Sequence, residues 1–122
     1  MMPKALVPIR LPVIWYINPD NTVTIEYDKK FSWFESVLSN ILKSPKILKR
    51  PLDNLNSQLW ILMDGTNNIG NLVSKMESLF QEEIIPAENR INKSIDTFLD
   101  LGLITLITTK EEITWDNEKL KK

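Results

Sequence analysis

The 122-residue sequence contains neither cysteine nor histidine. Without cysteine there is no disulfide, no thiolate zinc site, no iron–sulfur cluster and no thiol nucleophile. Without histidine the commonest general base and the commonest transition-metal ligand are missing. An enzyme built from this inventory would rely on carboxylates, lysines and hydroxyls alone, so the expectation is a protein that is not an enzyme and needs no cofactor or metal. Charge of one sign is also lacking. Fifteen Lys and Arg against sixteen Asp and Glu leave a net −1, so the molecule as a whole is not built around nucleic acid or an anionic membrane. Long apolar runs are absent. The stretch from Leu11 to Ile17 contains Pro12 and falls far short of the ~20 residues that cross a bilayer. The expectation is a cytoplasmic chain with no membrane partner, and its length suits one domain spanning 1–122.

What is present is a sequence of changing periods. Residues 1–12 carry Pro3, Pro8 and Pro12 and read as an extended arm. Val13–Ile17 is β-branched and aromatic, Asn18-Pro19-Asp20-Asn21 is turn-forming, and Thr22–Tyr27 alternates, with Val23, Ile25 and Tyr27 on one side. Together these residues predict a β-hairpin. In residues 31–43, Phe31, Phe34, Leu38 and Ile41 share a helical face, so an extra amphipathic helix is expected there, ended by Ser44-Pro45. Lys46–Arg50 reads as a short strand closed by Pro51. Asp53 caps a helix with a Leu55, Leu59, Leu62, Met63 stripe and Trp60 at its edge. Asn68 caps a second helix with Ile69, Leu72, Val73, Met76, Leu79 and Phe80 inward. Pro86 is expected as the first residue of a third, whose core side is Ile91, Ile95, Phe98 and Leu99 and whose end is Gly102. Residues 103–109 and 113–115 predict a terminal hairpin around Lys110-Glu111-Glu112, and 117–122 a flexible charged tail. The fold class expected is α+β: a winged helix-turn-helix core of three helices and a terminal β-hairpin, preceded by the arm and hairpin of residues 1–30.

The run WILMDGTNNIGNL, residues 60–72, clusters side-chain oxygens around a glycine. A calcium loop needs about six oxygen ligands and a closing Glu, yet no acidic residue lies between Asp64 and Glu77. A phosphate loop needs a strand before it and a Gly-Lys-Ser/Thr after it, and neither is here. Gly65 closing one helix as a left-handed C′ residue and Asn68 opening the next accounts for the stretch.

The longer run LDNLNSQLWILMDGTNNIGNLV resembles the core signature of the PqqD-like family through Leu52-Asp53, Trp60, Asp64-Gly65, Ile69 and Leu72. Pro8-Ile9-Arg10, Thr22-Val23-Thr24, the aromatic helix from Phe31, Ser44-Pro45-Lys46, Arg90 and the Phe98–Ile104 ending extend the resemblance over about residues 8–107. It implies a peptide chaperone, the recognition element of modified-peptide (RiPP) biosynthesis. Such a domain holds a precursor's leader peptide and presents it to a modifying enzyme, often a radical-SAM enzyme. The leader binds by β-strand addition beside the third strand and against the third helix, where backbone bonds give affinity and side-chain pockets selectivity. Carried onto this sequence, the peptide-binding residues are Ile47, Leu48, Lys49 and Arg50 on the strand, with Arg90, Ser94, Thr97 and Leu101 on the helix.

Charge distribution bears on the alternatives. Lys43, Lys46, Lys49 and Arg50 form a basic segment with no acid in it, whereas 77–118 is acidic. An acidic or amphipathic peptide would suit that strand; equally, its lysines would protect an edge strand from aggregation. A winged-helix DNA-binding regulator is the second class, and it is disfavoured because Glu88, Asp96 and Asp100 on the third helix and Glu111-Glu112 in the wing would repel phosphate. A structural interaction module, or a homodimer through a strand edge, is the third. Phe31, Trp33 and Phe34 read as core or as a docking surface, and Trp15 and Trp115 as caps of the sheet or as a dimer contact.

Overall fold

The computed structural model describes residues 3–28, 47–108, 112, 114 and 115. The helix expected over 31–43, with Phe31, Trp33 and Phe34, lies outside the described residues, as do Lys43, Lys46 and the tail. Among the described residues, five strands, three α-helices and a 3-10 turn follow in the order β1 (Val7–Arg10), β2 (Ile14–Ile17), β3 (Val23–Asp28), β4 (Ile47–Pro51), α1 (Asn54–Leu62), α2 (Ile69–Phe80), the turn Gln81–Ile84, α3 (Ala87–Asp100) and β5 (Ile104–Ile107). The strands make two small antiparallel sheets, β1-β5 and β2-β3-β4. The class is therefore α+β.

The expected hairpin forms, with Trp15 opposite Ile25 and Ile17 opposite Val23. Its turn is held by Asn18, whose N–H donates to the Thr22 carbonyl at 2.7 Å. Asp20 accepts from the Thr22 N–H at 3.0 Å. On β3 the alternation is only partly expressed in burial. Val23 and Ile25 are buried as their period predicts, but Thr24 and Glu26 on the opposite face are buried as well.

Two expectations change. The arm over residues 1–12 contains β1, which pairs with β5 in the register Val7↔Ile107 to Arg10↔Ile104. The partner of β5 is thus an N-terminal strand, not the return strand expected at 113–115. Thr114 and Trp115 are outside any strand, and the Trp115 indole N–H instead donates to the Arg10 carbonyl at 2.7 Å. Tertiary contact wins here because a two-stranded hairpin alone buries little, whereas β1 brings Ile9, fully buried, into the ladder.

The helices start and stop largely where their signals lie. Asp53 accepts from the Asn56 N–H at 2.7 Å and Asn68 from the Asn71 N–H at 2.7 Å, each satisfying an end-of-helix donor. Pro86 sits at the N-cap of α3 rather than at its first helical position. The end of α3 is a Schellman turn: Gly102 has φ 74°, its N–H reaches the Leu99 carbonyl, and the Leu103 N–H reaches Phe98. Gly65, at φ 92°, lies two residues past the C-cap of α1, Met63, so it serves the corner one place later than expected. The oxygens of that corner are used internally. Asp64 accepts from the Thr66 N–H at 3.0 Å, the Asn67 amide donates to the Leu62 carbonyl at 2.9 Å, and Lys75 donates to Asn67. The helix-joint reading of WILMDGTNNIGNL accounts for each of these bonds.

One hydrophobic cluster joins the three-stranded sheet, the three helices and β5. Trp60, expected at the edge of its stripe, is at the centre with 0% exposure. It meets Trp15 edge-on at 6.2 Å between centroids and Phe98 tilted at 5.4 Å. Aromatic pairs at such distances contribute beyond the area they bury. Leu55 and Leu62 are half-buried against the core instead; on the second stripe Leu79 is exposed, while Phe80 is half-buried against the core.

Candidate functional site: a groove beside an edge strand

The strand expected at Lys46–Arg50 is β4, and it is an edge of its sheet: among the described residues no strand pairs with its outer side. Which backbone groups point outward follows from the register. Leu52 N–H donates to the Val23 carbonyl at 2.8 Å, one step beyond the pairs Thr24↔Pro51 and Ile25↔Arg50. Antiparallel pairs alternate between bonded and non-bonded. Leu52, Arg50 and Leu48 therefore turn their backbone groups toward β3, while Ile47 and Lys49 turn N–H and C=O away from it. Pro51, which has no N–H, also falls on an outward position, the place in a sheet where proline is tolerated.

The same alternation separates two residues that the sequence reading grouped together. Arg50 shares the face of Val23 and Ile25, its cross-strand neighbours being on the core side, and is half-buried. Lys49 points to the opposite face and is exposed.

Beneath the Arg50 face lies a groove of about 600 Å³. One wall comes from β4 and the start of α1, with Arg50, Leu52, Asp53, Asn54, Leu55 and Asn56. The other comes from α3, with Arg90, Lys93, Ser94, Thr97 and Phe98, and Phe80 and Glu83 belong to the lining as well. Of the residues expected on the helix side, Arg90, Ser94 and Thr97 are brought together with Arg50. Leu101 is not part of the lining; it is the half-buried C-cap of α3. Residues 90, 94 and 97 share a stripe because i, i+4 and i+7 fall on one helical face.

Sequence reasoning missed Lys93, Phe80, Glu83 and the first turn of α1. Lys93 was findable, since it lies three residues from Arg90 on the same side. Nothing local marked Phe80 or Asn56 as groove residues, because their neighbours across the groove are distant in sequence.

Among the described residues, the groove is lined by three cations and two carboxylates. Asp53 is engaged in capping. The Arg90 guanidinium donates to the Glu83 backbone carbonyl, which aligns it along the turn before α3. Arg50, Arg90 and Lys93 form no ion pair among the described residues. Apolar surface from Leu52, Leu55, Phe80 and Phe98 completes the lining. No group of three or more acidic residues able to hold a metal occurs among the described residues, and no helix there is long and apolar enough to cross a membrane.

Comparison with models of known protein families, with curated proteins and with solved structures finds no match.

Proposed function

We propose that the chain is a non-catalytic peptide-binding adaptor. It holds a precursor peptide as an added strand on the outer edge of β4, with side chains in the groove against α3, and presents it to a modifying enzyme. The trihelical part with β5 acts as a winged-helix-like core, and β4 and α3 act as the third strand and third helix of the PqqD-like arrangement that the sequence resembles.

The observation that carries this reading is the outer edge of β4, unpaired among the described residues and lying beside a groove. The outward N–H and C=O of Ile47 and Lys49 offer ladder bonds, and the adjoining groove offers pockets for alternate side chains. Of the signature residues, Leu52 and Asp53 line the groove, and the others support the reading through the fold. Asp53 caps α1, Gly65 takes a left-handed turn, and Trp60, Ile69 and Leu72 are core.

The test is to select short random peptides on the full chain by phage display and map the selected peptides by NMR on ¹⁵N-labelled protein. Slowed amide exchange and shifts at Ile47 and Lys49, with shifts at Ser94 and Thr97, are expected. Failure to select any peptide, or selected peptides that leave residues 47–50 unmoved, would overturn the proposal. If peptide binding holds, a neighbouring gene for a short peptide and one for a radical-SAM enzyme are the expected genomic setting.

A further inference from the structure

We infer that the strand received by this groove is acidic and amphipathic, with a carboxylate side chain and an apolar side chain two residues apart. The inference rests on the peptide-binding reading above and specifies the chemistry of the ligand.

Spacing comes from the ladder. In a strand added to β4, side chains alternate, so every second residue falls on the face shared by Arg50 and Leu52. Those two groove residues are themselves two apart. A ligand side chain opposite Arg50 meets cationic surface, and one displaced by two residues meets Leu52 and the apolar side of the groove. Pro51 offers a carbonyl but no N–H, so the ladder loses one bond between the residues opposite Arg50 and Leu52.

Charge comes from the imbalance of the lining. Arg50, Arg90 and Lys93 have no ion-pair partner among the described residues. Asp53 already accepts the Asn56 N–H. A single carboxylate entering among these cations gains charge-assisted bonds. A peptide fits this arrangement better than a nucleic acid does. The carboxylates in the lining, Asp53 and Glu83, would meet successive phosphates of a continuous backbone. A carboxylate on an alternating strand is isolated from the next and avoids them.

The composition of peptides selected on the wild-type chain and on the double variant Arg90→Glu/Lys93→Glu tests this. Both substituted side chains are exposed, and a far-ultraviolet circular dichroism spectrum matching wild type verifies folding. Wild type should enrich Asp or Glu two positions from an apolar residue. The variant should lose affinity for those peptides by on the order of tenfold and should enrich Lys or Arg instead. Arg50→Gln should weaken the same peptides without reversing the preference. Peptides that bind β4 by NMR but show no acidic enrichment, or bind the variant unchanged, overturn the inference and leave the peptide-binding reading standing. Absence of any peptide that perturbs residues 47–50 removes both. Tighter binding of a fluorescent single-stranded oligonucleotide than of the acidic peptides, lost in the variant, overturns the inference in favour of a phosphate ligand.

Discussion

Val23 and Ser57, thirty-four residues apart, are joined by a 2.8 Å bond from the Val23 N–H to the Ser57 hydroxyl. The hydroxyl in turn donates to the Leu52 carbonyl at 3.3 Å, while the Leu52 N–H reaches the Val23 carbonyl directly at 2.8 Å. A serine on α1 thus stands inside the ladder at the point where β4 leaves β3 to enter the helix. It holds one end of the candidate groove.

Ser57→Ala should be costly for so small a change. It would leave the Val23 N–H and the Leu52 carbonyl without their buried partner, which costs about 1–3 kcal/mol. Urea denaturation should show the loss, and hydrogen exchange should show the Val23 amide exchanging faster than its neighbours. Equal stability of the variant would mean that water replaces the hydroxyl without penalty.

Arg10 is buried, and its guanidinium donates to the carbonyls of Trp60 at 2.7 Å and Ile61 at 2.8 Å while lying 4.8 Å from the centre of the Trp15 ring. A cation here satisfies carbonyls at the negative end of α1. Arg10→Met should destabilise by about 1.5–3 kcal/mol. Arg10→Lys should recover little of it, because an ammonium lacks the planar fork that reaches two carbonyls and stacks on a ring. Thermal unfolding of the two variants beside wild type decides the point, and full rescue by lysine would contradict it.

Gly65 and Gly70 should respond to alanine with opposite sign. Gly65 has φ 92°, a conformation that costs an L-residue roughly 1–2 kcal/mol. Gly70 lies in the first turn of α2, where an added Cβ would meet the Asn68 Oδ1 at 3.4 Å and the Lys4 Cβ at 3.7 Å, ordinary contact distances. Gly65→Ala should lower the midpoint of chemical denaturation. Gly70→Ala should raise it, by up to about 1 kcal/mol in stability.

In the hairpin turn, bonds from the Thr22 hydroxyl and then the Thr22 N–H hold the Asp20 carboxyl below its ordinary 3.8. A carboxylate whose pKa is depressed by folding contributes stability above its unfolded pKa. The contribution is lost as pH falls through the folded value. The carboxyl is fully exposed, so the contribution is small and screened. A ¹³C titration of the Asp20 carboxyl should give a midpoint below 3.8, and Thr22→Val should move it upward. A midpoint at or above 3.8 in the wild type would refute the bond from Thr22.

Local signals made the elements legible. Asp53 and Asn68 announce helix starts because their side chains satisfy nearby donors, and this chemistry reaches only three residues. Gly102 announces a helix end for a similar reason, since its left-handed turn is a property of one residue. The period of Ile91, Ile95 and Phe98 identified the inward face of α3, and all three are buried. The same arithmetic puts Arg90, Ser94 and Thr97 on one side of α3, which lines the groove; that this side would face a groove was implied by the resemblance, and Leu101, in the same series, is not in the lining.

Long-range pairing decided the rest. No local feature of Val7–Arg10 or Ile104–Ile107 states that they pair with each other; a ladder between segments nearly a hundred residues apart is chosen by what the whole chain can bury. Trp60 became the centre of the core, not the edge of a stripe, because Trp15 and Phe98 arrive from other elements. Lys49 and Arg50, adjacent and both cationic, must point to opposite faces of a strand, and it was the register with β3 that gave the core side to Arg50. The sequence by itself determined where helices and strands begin, and most of what faces inward along each of them, since those depend on residues within a turn or two. Only the tertiary structure decided which strand edge is left unpaired among the described residues and which residues meet across the groove, since those depend on how separate elements satisfy one another's backbone and exclude water together.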